Sequence, residues 1–130
     1  MKIDHLGIWV ADIEVMKIFY LTYFEVTCGD KYYNPGKKFT SCFLAFPEGG
    51  SRIELMHRPD IPAFIGMKGL INGLAHFAIS VESKEKVDEL ADLLRHDGYT
   101  INSEPRTTGD GYYESSILDP EGNCVEIIYK

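Results

Sequence analysis

Hydrophobic and polar residues follow one another along the chain in a pattern that predicts a strand, a helix and a hairpin in its first half. Residues 2–10 (KIDHLGIWV) contain the β-branched and apolar residues typical of a strand. Residues 13–23 carry apolar side chains at helical spacing, after Asp12 as a candidate N-cap. Residues 39–46 and 51–57 are two further strand patterns separated by the turn sequence PEGG, which predicts a β-hairpin.

The same order begins again after a segment, residues 58–73, that is rich in proline and glycine and that we interpret as a linker. Residues 74–81 predict a strand, and a helical stripe follows Ser83 as N-cap and ends before Gly98. Three more strands are predicted, at residues 99–102, 112–118 and 124–129. We therefore expect an α+β fold in which each half has one strand, one helix and three strands.

The two halves are related by an internal repeat. An offset of 71 residues places DHLGIWV over AHFAISV and His5 over His76. The same offset places Glu54 one residue short of Glu126, so a single insertion aligns the last strands as well. The sequence thus predicts a single domain, residues 1–130, made of two modules at about 1–57 and 74–130.

Composition and charge restrict the partners that we expect. Thirteen basic against twenty acidic side chains give a net charge of −7, which argues against a nucleic-acid partner. No apolar run approaches the roughly 20 residues of a membrane helix, and the first ten residues do not resemble a signal peptide. Three cysteines without C-x-x-C spacing favour free thiols in a reducing compartment. We expect a cytoplasmic protein without membrane or nucleic-acid partners.

Two histidines and two glutamates at repeat-equivalent positions predict a metal site. A single histidine or glutamate in a strand usually has a structural or solvent-exposed role, but four such residues at matched spacing are hard to explain that way. Imidazole and carboxylate ligands together suit Zn²⁺, Ni²⁺ or Co²⁺. Four protein ligands on a six-coordinate ion leave two positions for oxygen atoms of water or substrate. We expect one divalent metal per site.

The closing sequence LDPEGNCVEI matches a D-P-[DE]-G-N-x-[IV]-E-[IL] pattern, and with the repeat it resembles the vicinal oxygen chelate superfamily. Within that superfamily a His-Glu-His-Glu set is similar to glyoxalase I, also called lactoylglutathione lyase. The resemblance implies two βαβββ modules that form a cupped mixed sheet with helices outside. It also implies a site commonly assembled across a homodimer, with four metal ligands: His5, Glu54, His76 and Glu126. Extradiol dioxygenases and fosfomycin-modifying thiol transferases use three ligands, and Glu54 argues against both.

The activity implied by this resemblance is the metal-dependent isomerisation of a 2-oxoaldehyde–thiol hemithioacetal to a 2-hydroxyacyl thioester, as in methylglyoxal detoxification. The metal would stabilise an enediolate, and glutamates would transfer the proton. We expect Glu126 to be the main base and Glu54 a ligand and possible second acid or base. The apolar segment PAFIGM, residues 62–67, favours a homodimer because it needs covering.

Two positions depart from the pattern of glutathione-using members. Trp9 stands where they typically have arginine, and Arg58 stands where they often have asparagine. The sequence therefore does not identify the thiol that the substrate contains. Candidate substrate-binding residues are Arg58 and Arg106, which could hold a carboxylate, and Trp9, Tyr112 or Tyr113.

Two other functions remain as alternatives. One is another proton-abstracting enzyme of the superfamily, similar to methylmalonyl-CoA epimerase, which would need a basic groove and usually has glutamine in place of Glu54. The other is a non-catalytic small-molecule binding or resistance protein, which would need no metal.

Overall fold

A computed structural model describes all 130 residues and divides into two compact units, Met1–Phe64 and Ile65–Lys130. The division falls inside the expected linker, and no helix or strand lies between His57 and Phe77. Each unit contains one helix and one mixed sheet, which confirms the expected α+β fold of two modules. None of the helices has the length and apolar character needed to cross a membrane.

The first unit contains one helix and five paired strands in an order that brings its first and last strands together. Strand β1 pairs in parallel with β5, whereas β5, β4 and β2 are antiparallel neighbours, and β3 pairs with β4. The predicted hairpin, β4–β5, is confirmed. In chain order the elements are β1 (His5–Trp9), α1 (Ile13–Tyr23), β2 (Thr27–Cys28), β3 (Tyr32–Asn34), β4 (Phe39–Ala45) and β5 (Arg52–His57).

Helix α1 forms where the apolar stripe predicted it. The Asp12 side chain accepts a hydrogen bond from the backbone N–H of Val15 at 3.1 Å and so caps the first turn. Met16, Phe19 and Tyr20 are at most 2% exposed, and the helix packs against β4 and β5. Burial of these large side chains, rather than helix propensity, holds the helix on the sheet.

The second unit repeats this arrangement with the strand order β6-β9-β8-β7. Strand β6 is parallel to β9, and the other pairs are antiparallel. Ser83 caps α2 by accepting from the N–H of Lys86 at 3.1 Å, and Gly98 follows the helix with a φ of 89°. The elements are β6 (Phe77–Ser80), α2 (Lys84–His96), β7 (Ile101–Thr107), β8 (Tyr113–Leu118) and β9 (Cys124–Tyr129).

Two details differ from the prediction. In the first unit the strand after the helix is broken into β2 and β3, so four strands rather than three follow α1. In the second unit β7 continues past Asn102 to Thr107 and includes Pro105. Proline is tolerated there because β7 is an edge strand, and its register against β8 shifts between Ser103 and Arg106.

Alternation along the strands gives each sheet a face packed on its helix and a second face, which we call the helix-distal face. In the first unit the helix-packed face holds buried residues such as Leu44 and Leu55. Strand register places the side chains of His5, Trp9 and Glu54 on the helix-distal face. In the second unit the helix-distal face of β8 and β9 carries Glu114, Ser116 and Glu126.

Candidate functional site

The first half-site consists of His5 and Glu54. Nε2 of His5 lies 3.5 Å from Oε2 of Glu54. Parallel pairing of β1 with β5 sets Glu54 opposite Gly7, two residues after His5, so the two side chains leave the same face of the sheet. The Glu54 side chain is 15% exposed and that of His5 is 39% exposed.

The second half-site, His76 and Glu126, has the same register. Nε2 of His76 lies 3.2 Å from Oε2 of Glu126. Glu126 pairs with Ala78, again two residues after the histidine, although His76 itself comes one residue before β6 begins. The repeat in the sequence is therefore a repeat in geometry, and the additional residue between His76 and Glu126 is accommodated outside this strand pair.

Asp4 orients the first histidine, a role that the sequence reasoning missed. The Nδ1–H of His5 donates to Oδ1 of Asp4 at 2.9 Å, and Arg52 donates to the same carboxylate oxygen at 2.6 Å. Donation from Nδ1 leaves the lone pair of Nε2 directed at Glu54. The sequence does carry a signal: the repeat places Asp4 opposite Ala75, so only one histidine follows an acidic residue.

Glu126 is the glutamate whose environment most clearly suits proton transfer. Burial raises its pKa above the ordinary value, while the nearby His76 opposes that shift and Glu114 adds to it. A half-buried carboxyl with a raised pKa is a better proton acceptor than a solvated one. This placement explains why a carboxylate interrupts the apolar residues of β9, CVEIIY.

The turn before β9 is organised by a buried aspartate. Asp119 is 4% exposed and its carboxylate accepts hydrogen bonds from the N–H groups of Glu121 and Asn123 at 3.0 and 2.9 Å. The Asn123 side chain donates to the second oxygen at 2.7 Å, and Gly122 has a φ of 82°. These bonds account for the DPEGN motif structurally, because they fix the turn that leads into the strand of Glu126.

The donor atoms of each half-site fit adjacent positions on a divalent ion. Ligand atoms with bonds of about 2.1 Å lie about 3 Å apart at neighbouring octahedral positions, close to the two N–O separations above. Each half-site alone has one imidazole and one carboxylate, and no group of three or more His, Cys, Asp or Glu side chains that could hold a metal occurs in the structure. Each pair thus offers two of the ligands that a divalent ion needs.

The other predicted substrate-binding residues have defined partners. The guanidinium of Arg58 lies 5.8 Å from the centre of the Trp9 ring and donates to both oxygens of Asp60. Arg106 lies 3.6 Å from Glu114 and also donates to the Ser103 hydroxyl.

The two tyrosines of the TGDGYYE stretch differ in their surroundings. The ring of Tyr112 lies 4.5 Å from Nζ of Lys130. The hydroxyl of Tyr113 donates to Asp88 of α2 at 2.7 Å, which directs this ring to the helix-packed side of the sheet. Tyr112 therefore remains a candidate for substrate binding, and Tyr113 does not.

Comparison with solved structures supports the fold. Glyoxalase I from Zea mays is 26% identical with a TM-score of 0.79, covering 99% of this chain and 44% of that one. The trypanothione-dependent glyoxalase I of Leishmania major is 23% identical with a TM-score of 0.79, covering 98% of this chain and 86% of that one. A glyoxylase/bleomycin resistance protein/dioxygenase domain from Frankia sp. EAN1pec is 16% identical with a TM-score of 0.83, covering 98% and 96%.

The chain thus spans less than half the length of the maize enzyme. No protein of curated function matches the sequence significantly. The family described as the Glyoxalase/Bleomycin resistance protein/Dioxygenase superfamily matches residues 2–127, nearly the whole chain. The chain belongs to this superfamily, the vicinal oxygen chelate superfamily.

Proposed function

We propose that the chain is a metal-dependent enzyme of the glyoxalase I type, which isomerises a 2-oxoaldehyde–thiol hemithioacetal to a 2-hydroxyacyl thioester. The observation that carries the proposal is the presence of two His–Glu half-sites at equivalent register, His5 with Glu54 and His76 with Glu126. Three-ligand members of the superfamily would have no need for the second glutamate.

We further propose that the two half-sites combine into one site, either within a chain or between the chains of a homodimer. His5, Glu54, His76 and Glu126 would hold one Zn²⁺, Ni²⁺ or Co²⁺ ion. That ion, when bound, supplies Lewis-acid stabilisation of negative charge on two adjacent substrate oxygens.

Glu126 is the proposed base. Its carboxylate takes the proton from the carbon that bears sulfur, and its raised pKa favours holding that proton during the reaction. The proton returns to the neighbouring carbonyl carbon from Glu126 or from Glu54, and the hydroxyl proton moves to the other oxygen. No atom is gained or lost, so the reaction is an internal redox isomerisation.

One orienting residue serves the first half-site. Asp4 holds the Nδ1–H of His5, so that the ring presents Nε2 beside Glu54. The thiol is not fixed by this chemistry, because only the hemithioacetal oxygens and carbons take part. The glyoxalase I of Leishmania major, which has a similar fold, depends on trypanothione.

The test is an assay of hemithioacetals made from methylglyoxal and several low-molecular-weight thiols, with metal-free protein reloaded with Ni²⁺, Co²⁺ or Zn²⁺. We expect thioester formation with at least one metal, and none with metal-free protein. Metal binding without turnover of any hemithioacetal would contradict the proposal and favour another proton-abstracting enzyme of the superfamily.

A further inference from the structure

A basic cleft lies on the first unit, and none of the four predicted ligands lines it. Its volume is about 380 Å³, within the range of small-ligand sites. One wall comes from the turn between β3 and β4 and the other from the segment just after β5. The lining residues are Gly36, Lys37, Lys38, Arg58, Pro59 and Asp60.

The charge of this cleft opposes the charge of the whole protein. Three of its six lining residues are cationic and one is acidic, in a chain with a net charge of −7. A local concentration of positive charge in an acidic protein attracts anions to that place and not to the surface in general.

The turn that carries the two lysines is held in a defined shape. The Asn34 side chain accepts from the N–H of Lys37 at 3.2 Å, and the carbonyl of Pro35 accepts from the N–H of Lys38 at 3.3 Å. Lys38 has a φ of 49°, a conformation that a residue other than glycine adopts at an energetic cost. Both ammonium groups are thus attached to an ordered turn.

An aromatic surface adjoins the cationic one. The Arg58 guanidinium lies over Trp9, the ring of Trp9 contacts Phe39 edge-on at 6.1 Å, and Phe39 is 6.3 Å from Tyr32. Trp9 is 40% exposed and Tyr32 is 57% exposed, although large aromatic side chains are usually buried. Aromatic and guanidinium groups side by side suit a ligand with an apolar or planar part next to an anion.

The cleft and the first half-site lie along the same face of the first sheet. Trp9 follows His5 by four residues on β1, and Arg58 follows Glu54 by four residues along and just past β5, both on the helix-distal face. Four residues of extended chain span about 13 Å. A ligand whose reacting atoms lie at Glu54 could therefore extend along this face to the cleft. The group that it places in the cleft would be about 13 Å from its reacting atoms.

We propose that this cleft is an oxyanion-binding subsite, in which Lys37, Lys38 and Arg58 hold a terminal carboxylate or phosphate of the thiol part of the substrate. As a statement about substrate class it rests on the proposed function, whereas the binding of an oxyanion to the cleft does not. Arg58 presents the planar donor pattern that matches either oxyanion, and the two lysines add charge without selecting between them.

Asp60 competes with an incoming oxyanion for the guanidinium of Arg58. Its two oxygens already accept hydrogen bonds from Nε and Nη2 of Arg58, and the guanidinium holds the pKa of Asp60 below its usual value, so Asp60 is charged near neutral pH. An incoming oxyanion must displace Asp60 or share Arg58 with it. Removing the charge of Asp60 should therefore tighten binding, whereas removing the lysine charges should weaken it.

The binding test uses Trp9, the one tryptophan of the chain, as a reporter beside the proposed subsite, where its ring lies under Arg58. Metal-free protein is titrated with inorganic phosphate and with succinate at constant ionic strength, and with sodium chloride as the control for screening. We expect a saturable change in tryptophan fluorescence with at least one of the two oxyanions and none with chloride. A linear or absent response to both would overturn the proposal.

Charge variants assign the response to the cleft. Lys37→Gln with Lys38→Gln should raise the dissociation constant roughly tenfold, and Asp60→Asn should lower it. Lys84→Gln with Lys86→Gln on α2 removes the same charge elsewhere and should leave it unchanged. Equal effects of the two lysine pairs would mean a general charge effect and would overturn the assignment.

Matched thiols then identify the oxyanion. Glutathione is compared with its diethyl ester for a carboxylate, and coenzyme A with pantetheine for a phosphate, each as the methylglyoxal hemithioacetal. The preferred anionic member should have the lower KM, and Lys37→Gln with Lys38→Gln should remove that advantage with little change in kcat. If no hemithioacetal reacts, the proposed function fails while the fluorescence titration still decides the subsite; if anionic and neutral thiols react with equal KM, the subsite's role in substrate binding is wrong.

Discussion

Oε2 of Glu126 lies 3.2 Å from Nε2 of His76, although fifty residues separate the two along the chain. Parallel pairing of β6 with β9, the first and last strands of the unit, brings them together. The first unit forms the equivalent contact between His5 and Glu54 by the same pairing of its end strands. A half-site is therefore a property of the module itself, and the duplication of the module supplies the second one.

The first prediction concerns metal stoichiometry. Protein reloaded with Zn²⁺, Ni²⁺ or Co²⁺ should hold about one ion per chain, and His5→Ala or His76→Ala should abolish tight binding because each removes a ligand nitrogen. Elemental analysis after gel filtration measures both. His96→Ala, on the outer end of α2, is the matched control, and unchanged metal content in the His5 and His76 variants would refute the combined site.

Removal of the proposed base should affect turnover more than metal binding. Glu126→Gln keeps a neutral oxygen ligand but loses the proton acceptor, so turnover at saturating metal should fall by on the order of 10²–10⁴-fold. Glu54→Gln should cost less if Glu54 serves mainly as a ligand. Cys124→Ser, on the same strand, should leave turnover largely intact, and parental activity in metal-saturated Glu126→Gln would exclude Glu126 as the base.

Asp4→Asn tests the orientation of His5. The amide that replaces the carboxylate is uncharged, so it holds the Nδ1–H of His5 less strongly and does not favour the tautomer in which Nε2 is free to bind a metal. Metal affinity should therefore fall by roughly 10–100-fold. A competition assay with a chromogenic chelator gives the affinity. Asp92→Asn removes an aspartate paired with Arg95 on α2 and serves as the control. Equal affinities for Asp4→Asn and the parent would leave Asp4 with a purely structural role.

The buried thiol of Cys42 should make the free energy of unfolding depend on pH in the alkaline range. Burial, with a smaller contribution from Cys28, raises the pKa of this thiol from about 9.0 to about 12. Between pH 9 and 12 the unfolded chain releases a proton that the folded chain retains, so the free energy of unfolding should decrease as pH rises, by roughly 1 kcal/mol at pH 10. Cys42→Ala removes this titration, and urea denaturation at pH 8, 9 and 10 should show a shallower decline for that variant. Parallel declines in the two proteins would contradict the prediction.

The exposed apolar side chains of the linker, residues 58–73, predict that the protein forms a homodimer. Four of these side chains are exposed by more than half, an unusual density for one short segment: Ile65, Met67, Leu70 and Ile71. We expect a homodimer at micromolar concentration by analytical ultracentrifugation, and Ile65→Glu with Leu70→Glu should weaken it. Ile18→Glu, which charges an exposed apolar position of α1, is the control. A monomeric parent protein would count against both the dimer and a site shared between chains.

The sequence predicted the elements whose signals are local. Asp12 and Ser83 cap helices that begin where the apolar stripes start, and the internal repeat alone identifies both His–Glu pairs. The extension of β7 was missed because Pro105 and its polar neighbours do not resemble a strand, and pairing with β8 overrides that weak preference.

The basic cleft was missed for a different reason. Lys37 and Lys38 lie in a turn and Arg58 lies in the linker, about twenty residues later, and nothing in the local pattern connects them. The antiparallel pairing of β4 with β5 brings the two segments together. Proximity created by sheet pairing of this kind becomes visible only when the register is known.

The turn held by Asp119 has a consequence for how this protein can vary. Its hydrogen bonds determine the residue at which β9 begins, and hence which residues of that strand face α2. A slip of one residue would turn Glu126 into the core and Val125 out of it, since side chains alternate along a strand. Insertion or deletion of a single residue between Asp119 and Cys124 would thus exchange the proposed base for an apolar side chain. The proposed chemistry depends on the length of this turn as strictly as on the glutamate.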